Sequence, residues 1–231
     1  DALLTLDASS GQILGRIALP GLNDVVEAGS ADQVVADPAQ LPDRAAAASL
    51  LADLLEADAA EIEARLASAA GSVILGAVPS DRTTLDEAIN DGRLAGVSVE
   101  SVPLVAAVDG QGLTFVSSRD ASLSSQIELP GATGAAYVTG LEDPRLYVAA
   151  GDTVGVIRLP DSGNREPYLD TTLTSPGAAV DVAFNPSTNF VHVLGRTPSG
   201  DASTIYVIEP HANAFFADAQ LPFEPIAWVV D

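Results

Sequence analysis

The stretch GATGAAYVTGLEDPRLYVAAGDTVGVIRLPDSGNREPYLDTTLTSP, residues 131–176, carries a pattern that the chain repeats at a fixed interval. A proline closes each copy, at Pro130, Pro176 and Pro222, and the spacing is 46 residues both times. Inside each copy the order is similar. A short apolar run comes first (Ala135–Val138, then Val180–Phe184), followed by a Pro turn (Glu142-Asp143-Pro144, then Phe184-Asn185-Pro186). Two β-rich runs follow: Arg145–Val148 and Val154–Ile157 in one copy, Phe190–Leu194 and Ile205–Ile208 in the next. A fourth run leads to the closing proline. β-Branched and aromatic residues between Gly, Pro and Asp punctuation read as strands and turns. Four strands per ~40–50 residues is the pattern of a propeller blade, and a single blade cannot bury both of its faces, so copies must stack.

Working outward, Leu3–Leu6 and Gln12–Leu19 read as two strands joined by the turn Asp7–Gly11. Leu6, Val116 and Ile208 each lie 14 residues before a closing proline, so residues 1–20 correspond to the second half of a blade. Gly21 opens the next copy, with Asp24–Glu27 and Gln33–Ala36 as its first strands. Pro20 to Pro130 is 110 residues, 64 more than the period, and the excess lies between Asp37 and about Val102. Within it the apolar spacing turns helical. Leu50, Leu51, Leu54 and Leu55 share one face of Arg44–Glu56 after Asp43; Ile62 and Leu66 share one face of Ala59–Ala69 after Asp58. A third helix is expected over Thr84–Asn90, with short strands at Val73–Leu75 and Val97–Val99. After Pro103 the interrupted blade resumes with Val105–Val108, a Gly-rich turn at Asp109–Gly112, and Leu113–Val116. Pro225–Val230 starts another blade.

Ten Arg, no Lys and 32 acidic residues in 231 give a formal charge of −22. That charge repels phosphate backbones and argues against a nucleic-acid partner. With no cysteine there is no disulfide, thiolate metal site or Cys nucleophile. No apolar run approaches the ~20 residues of a membrane helix. The first residue is Asp1 and Met is absent, so the sequence reads as a processed chain or a fragment.

Of the two histidines, His192 lies among apolar strand residues and reads as a hydrogen-bonded core residue; His211, in Glu209–Asn213, reads as an exposed turn residue. They form no zinc-binding pair. Asp161–Asn164 with Glu166 lacks the alternating ligands of a calcium loop and reads as a solvated turn, as do Asp109 and Asp152. No nucleophile elbow, phosphate loop or dinucleotide fingerprint occurs.

The repeat resembles the propellers of bacterial surface proteins with the Tyr-Val-Thr-Asn repeat and their lactonase-like relatives. The residues that carry the likeness are Arg145–Ala149 with Thr153–Ile157, and Ala178–Pro186 with Phe190–Val193. Where that family usually places Asn, this chain has Ala150-Gly151. The insertion resembles the small non-catalytic module near the N-terminus of class B penicillin-binding proteins, through Asp37-Pro38, Ala45–Leu55, Asp58–Leu66, Val73–Leu75 and Leu94–Val97. The Lys-dependent transpeptidase motifs are excluded by the absence of Lys. Asp7–Leu14 and Ile17–Gly21 are similar to the extracytoplasmic propeller of membrane glycosyltransferases of the protein-mannosyltransferase type.

These resemblances imply a mainly β fold: a partial or small β-propeller of about four blades over 1–37 and 103–231, with an inserted α+β subdomain over 38–102. They imply a non-catalytic, extracytoplasmic binding or scaffold module of a bacterial surface. Its expected partners are a protein, a polysaccharide or the rest of a parent membrane enzyme; no cofactor and no metal is expected. The alternative is a lactonase-like propeller hydrolase working from the central opening. Its site residues would be Asp24, Glu27, Asp181 and Glu224.

Overall fold

The computed structural model describes residues 2–6, 13–160, 166–197 and 203–221. The fold is mainly β, with several antiparallel sheets. By backbone contacts the chain divides into two units, Asp1–Gly29 with Pro103–Asp231, and Ser30–Val102. Strands β1 (Ala2–Leu6) and β2 (Ile13–Ala18) form a two-stranded ribbon. Strands β3 (Leu22–Ala36), β4 (Val73–Ala77), β5 (Val97–Asp109), β6 (Gly112–Ser117) and β7 (Leu123–Glu128) lie in the order β4-β3-β5-β6-β7. Strands β8 (Ala132–Val138), β9 (Arg145–Arg158), β10 (Tyr168–Asn185), β11 (Phe190–Arg196), β12 (Ser203–Glu209) and β13 (Ala214–Gln220) form a six-stranded sheet in sequence order.

Strands break less often than the Gly and Pro punctuation predicts. The expected strands Asp24–Glu27 and Gln33–Ala36 are one strand, β3, with Gly29 at φ 67° inside it. Glycine takes that left-handed conformation at no steric cost, so the backbone kinks without ending. Val97–Val99 and Val105–Val108 likewise share β5, which runs through Pro103. The two copies expected as separate sheets share β10, which runs through Pro176. Tyr168–Thr174 pair with β9 and Ala178–Asn185 with β11, and the ladder to β9 skips from Thr174 to Ala179. Pro176 sits in that gap, where its missing N–H removes no ladder bond.

β9 doubles back on itself. The Leu159 N–H donates to the Pro144 carbonyl at 2.9 Å, so the two ends of this 14-residue element are adjacent. An extended strand of that length would hold them ~45 Å apart. The fold is at Gly151 (φ 59°) and the exposed Asp152, a two-residue hairpin loop with Gly in first place. The first arm pairs with β8 and the second with β10. Both arms are buried, and Tyr147, Val154 and Val156 join Val191, Val193 and Ile208 in one core.

In the unit Ser30–Val102, three Asp-capped helices cover a short sheet: α1 (Arg44–Leu55), α2 (Ala59–Ser68) and α3 (Arg82–Asn90). The carboxylates of Asp43, Asp58 and Asp81 accept from Ala46, Ala60 and Thr84 N–H, each relieving an orphan amide of the first turn. Leu51, Ile62, Leu66, Leu85 and Leu94 fill its core. Among the described residues no helix is long and apolar enough to cross a membrane.

Candidate functional site

β8 is the edge of the six-stranded sheet, and an edge strand leaves one row of backbone amides and carbonyls without ladder partners. Two side chains from the first part of β3 engage it. Asn23 Nδ2 donates to the Ala132 carbonyl at 3.0 Å, and Asp24 Oδ2 accepts from the Ala135 N–H at 3.1 Å. The other Asp24 oxygen accepts from its neighbour Val25 N–H at 2.8 Å. β8 is tied in turn to β10, where Thr133 Oγ1 donates to the Val180 carbonyl at 2.6 Å. Asn23 and Thr133 are each the second residue after the glycine that opens a copy, and each donates to a backbone carbonyl of the next first strand. The third such position is Ala179, which has no donor side chain.

Asp181 stands on β10 beside the same strand. Its Oδ1 accepts from the Val182 N–H at 2.8 Å, and a Cβ on Gly134 would collide with that oxygen. The absent side chain of Gly134 makes room for the carboxylate. Burial, and after it the charge of the exposed Glu27, raises the Tyr137 phenol above its ordinary value. The Tyr137 hydroxyl lies over Gly29, where a Cβ would approach it to 3.3 Å. The structure thus gathers Asp24 and Asp181 along β8, with Glu27 acting on Tyr137. Glu224 lies outside the described residues, as do Asp161–Asn164 and most of Asp7–Leu14. Among the described residues no three His, Asp or Glu side chains are grouped as metal ligands.

His192 differs from expectation. Its Nδ1 is buried and has no hydrogen-bond partner, and burial pushes the imidazole below its ordinary value. Its cross-strand neighbours are Ala183 and Val207, which offer no polar side chain. His211 is exposed in the turn, and its N–H donates to Glu209 Oε1 at 2.9 Å.

A second polar centre escaped the sequence reading. Arg145, 7% exposed, donates from Nη1 to the Pro210 carbonyl at 2.8 Å and to Asn213 Oδ1 at 3.3 Å. The Tyr147 hydroxyl reaches the same two acceptors, and burial raises its pKa. Asp143 pairs with Arg158 and with Arg145 Nη2, and the Arg158 hydrogen bond holds its carboxyl below the usual range. Arg158 Nε reaches Asp170 at 3.2 Å. The centre ties β9 to the turn between β12 and β13. Its one signal in the sequence is an Arg inside an apolar strand directly after a turn proline.

No protein-family model matches the chain, and no curated protein matches it. Among solved structures, hydrazine synthase of Kuenenia stuttgartiensis is similar over 51% of this chain and 46% of that one, at 12% identity and a TM-score of 0.30. The chain spans less than half the length of that protein.

Proposed function

We propose that the protein is a non-catalytic contact module: a bacterial, extracytoplasmic β-propeller segment that binds or scaffolds as part of a larger surface or membrane assembly. A membrane glycosyltransferase is the parent its sequence resembles. One observation carries this reading. The carboxylates of Asp24 and Asp181 accept from backbone amides and pack the first strands β3, β8 and β10 against one another. Each Asp24 oxygen accepts from one backbone amide and Asp181 Oδ1 from another, so both carboxylates have a structural role between first strands that calls for no substrate or metal. The side-by-side first strands and the β9 hairpin support the blade arrangement. The charge of −22 favours a neutral or cationic partner, such as a polysaccharide or a basic protein face.

The test has two arms. Lactones, phosphodiesters and glycosides are assayed with and without Ca²⁺, and surface plasmon resonance compares cationic, neutral and anionic polysaccharides and basic proteins. Binding to a cationic or neutral partner without turnover is expected. Turnover that disappears in Asp24→Asn and Asp181→Asn would overturn this reading in favour of the hydrolase.

A further inference from the structure

The two edges of the six-stranded sheet differ. On the β8 edge, Asn23 and Asp24 engage the Ala132 carbonyl and the Ala135 N–H. At the other edge β13 pairs with β12 alone among the described residues, and its residues other than Phe215 are exposed. The ladder shows which groups face outward. The Leu221 N–H donates to the Ser203 carbonyl at 2.8 Å, and Ala219 and Ala217 stand opposite Ile205 and Val207. In an antiparallel pair the bonding alternates, so Ala217 and Ala219 turn their backbone groups toward β12. Asp218 and Gln220 turn theirs to the free edge.

Proteins blunt such edges with Lys, Pro or bulges. β13 has one bulge, at Phe216, and no Lys or Pro from there to its end at Gln220. Its faces are specific. Ala217 and Ala219 leave shallow room on one face, Asp218 supplies a carboxylate on the other, and Phe216, tilted against Phe190 with ring centroids 4.8 Å apart, is 55% exposed. We propose that the outer edge of β13 is a docking edge for an extended cationic peptide segment, which adds to the sheet as a further strand. Charge selects the occupant. A second copy would bring another −22, whereas a segment alternating basic and apolar residues sets cations against Asp218 and bulk against the alanines. The inference rests on the reading of the protein as a contact module and names one of its surfaces.

The experiment uses fluorescein-labelled peptides of about ten residues, alternating Lys with Val or Glu with Val, and reads fluorescence anisotropy at near-physiological salt. The Lys peptide should bind, and binding should protect the Asp218 and Gln220 amides from hydrogen exchange. Gln220→Pro removes one outward N–H and no bond to β12, so it should weaken binding at least tenfold, as should Asp218→Lys. Circular dichroism and thermal melting establish that both variants are folded. Four results overturn the proposal: no binding of the Lys peptide; equal binding by Gln220→Pro, which marks association by charge alone; Asp218 and Gln220 amides already protected in the free monomer, which marks an edge covered by the chain itself; or self-association abolished by Gln220→Pro, which makes a second copy the occupant. Failure here, with polysaccharide or basic-protein binding intact, removes the β13 edge and leaves the contact-module reading standing.

Discussion

His192 is the residue whose chemistry most constrains behaviour in solution. Its Nδ1 is sealed without a partner although the residue as a whole is only half-buried, and the shift follows from burial alone. The native state therefore holds a neutral imidazole at a pH where the unfolded chain, with its pKa near 6.5, begins to take a proton. The stability this neutral form allows is intact above about pH 6.5 and is lost as pH falls from there through the depressed folded value. The 32 acidic residues act the other way, because partial protonation relieves self-repulsion, so the wild-type curve alone mixes two trends. His192→Leu removes the imidazole and leaves every carboxylate. The stability of His192→Leu relative to wild type should rise as pH is lowered from about 7 to about 5, measured by urea unfolding. The rise is a fraction of the ~1.4 kcal/mol per pH unit that one proton allows, since solvent reaches part of the ring. A difference that does not change with pH would show that His192 is not held neutral.

At the scale of elements, the β9 hairpin turns on one glycine. A Cβ added at Gly151 meets nothing within 4 Å, so a substitution there acts through backbone conformation alone. At φ 59° a β-branched residue is costly, by about 1–2 kcal/mol, and Asn is better tolerated. Gly151→Val should therefore lower stability by about that much and Gly151→Asn by less. Equal losses in thermal unfolding would argue against the left-handed turn. The comparison also explains which elements the sequence made legible. Asp43 and Asp58 begin their helices as read, because a cap is settled by residues two or three apart, and Asp81 caps α3, which starts two residues before the expected Thr84. Strand ends are settled by partners elsewhere in the sheet, so Gly29, Pro103 and Pro176 looked like boundaries and lie within strands. The lactonase-like resemblance named Asp24 and Asp181 as first-strand residues, and the fold places both along β8. It gave no hint that Arg145 meets Asn213, 68 residues away, because that contact exists only once β9 and the β12–β13 turn are in place.

At the scale of the molecule, the two units have separate cores. Leu51, Ile62, Leu66 and Leu85 belong to one cluster, and Tyr147, Val154, Val191 and Ile208 to another. Neither cluster draws on the other's side chains, although the backbones of β3 and β5 run through both units. Separate cores with a shared backbone predict partly independent opening, in which one unit loses protection before the other. Leu51 is fully buried, and truncating it to Ala should cost about 2–5 kcal/mol through lost burial and a residual cavity. Native-state hydrogen exchange on Leu51→Ala locates that cost. Amides of α1, α2 and α3 should exchange about thirty-fold faster or more, the lower bound being 2 kcal/mol at 1.4 kcal/mol per decade. Amides in the ladders of β9, β11 and β12, such as Val148 and Val193, should keep their wild-type rates. If exchange accelerates equally in both units, the chain unfolds as one cooperative body, and β3 and β5 transmit the loss between the cores.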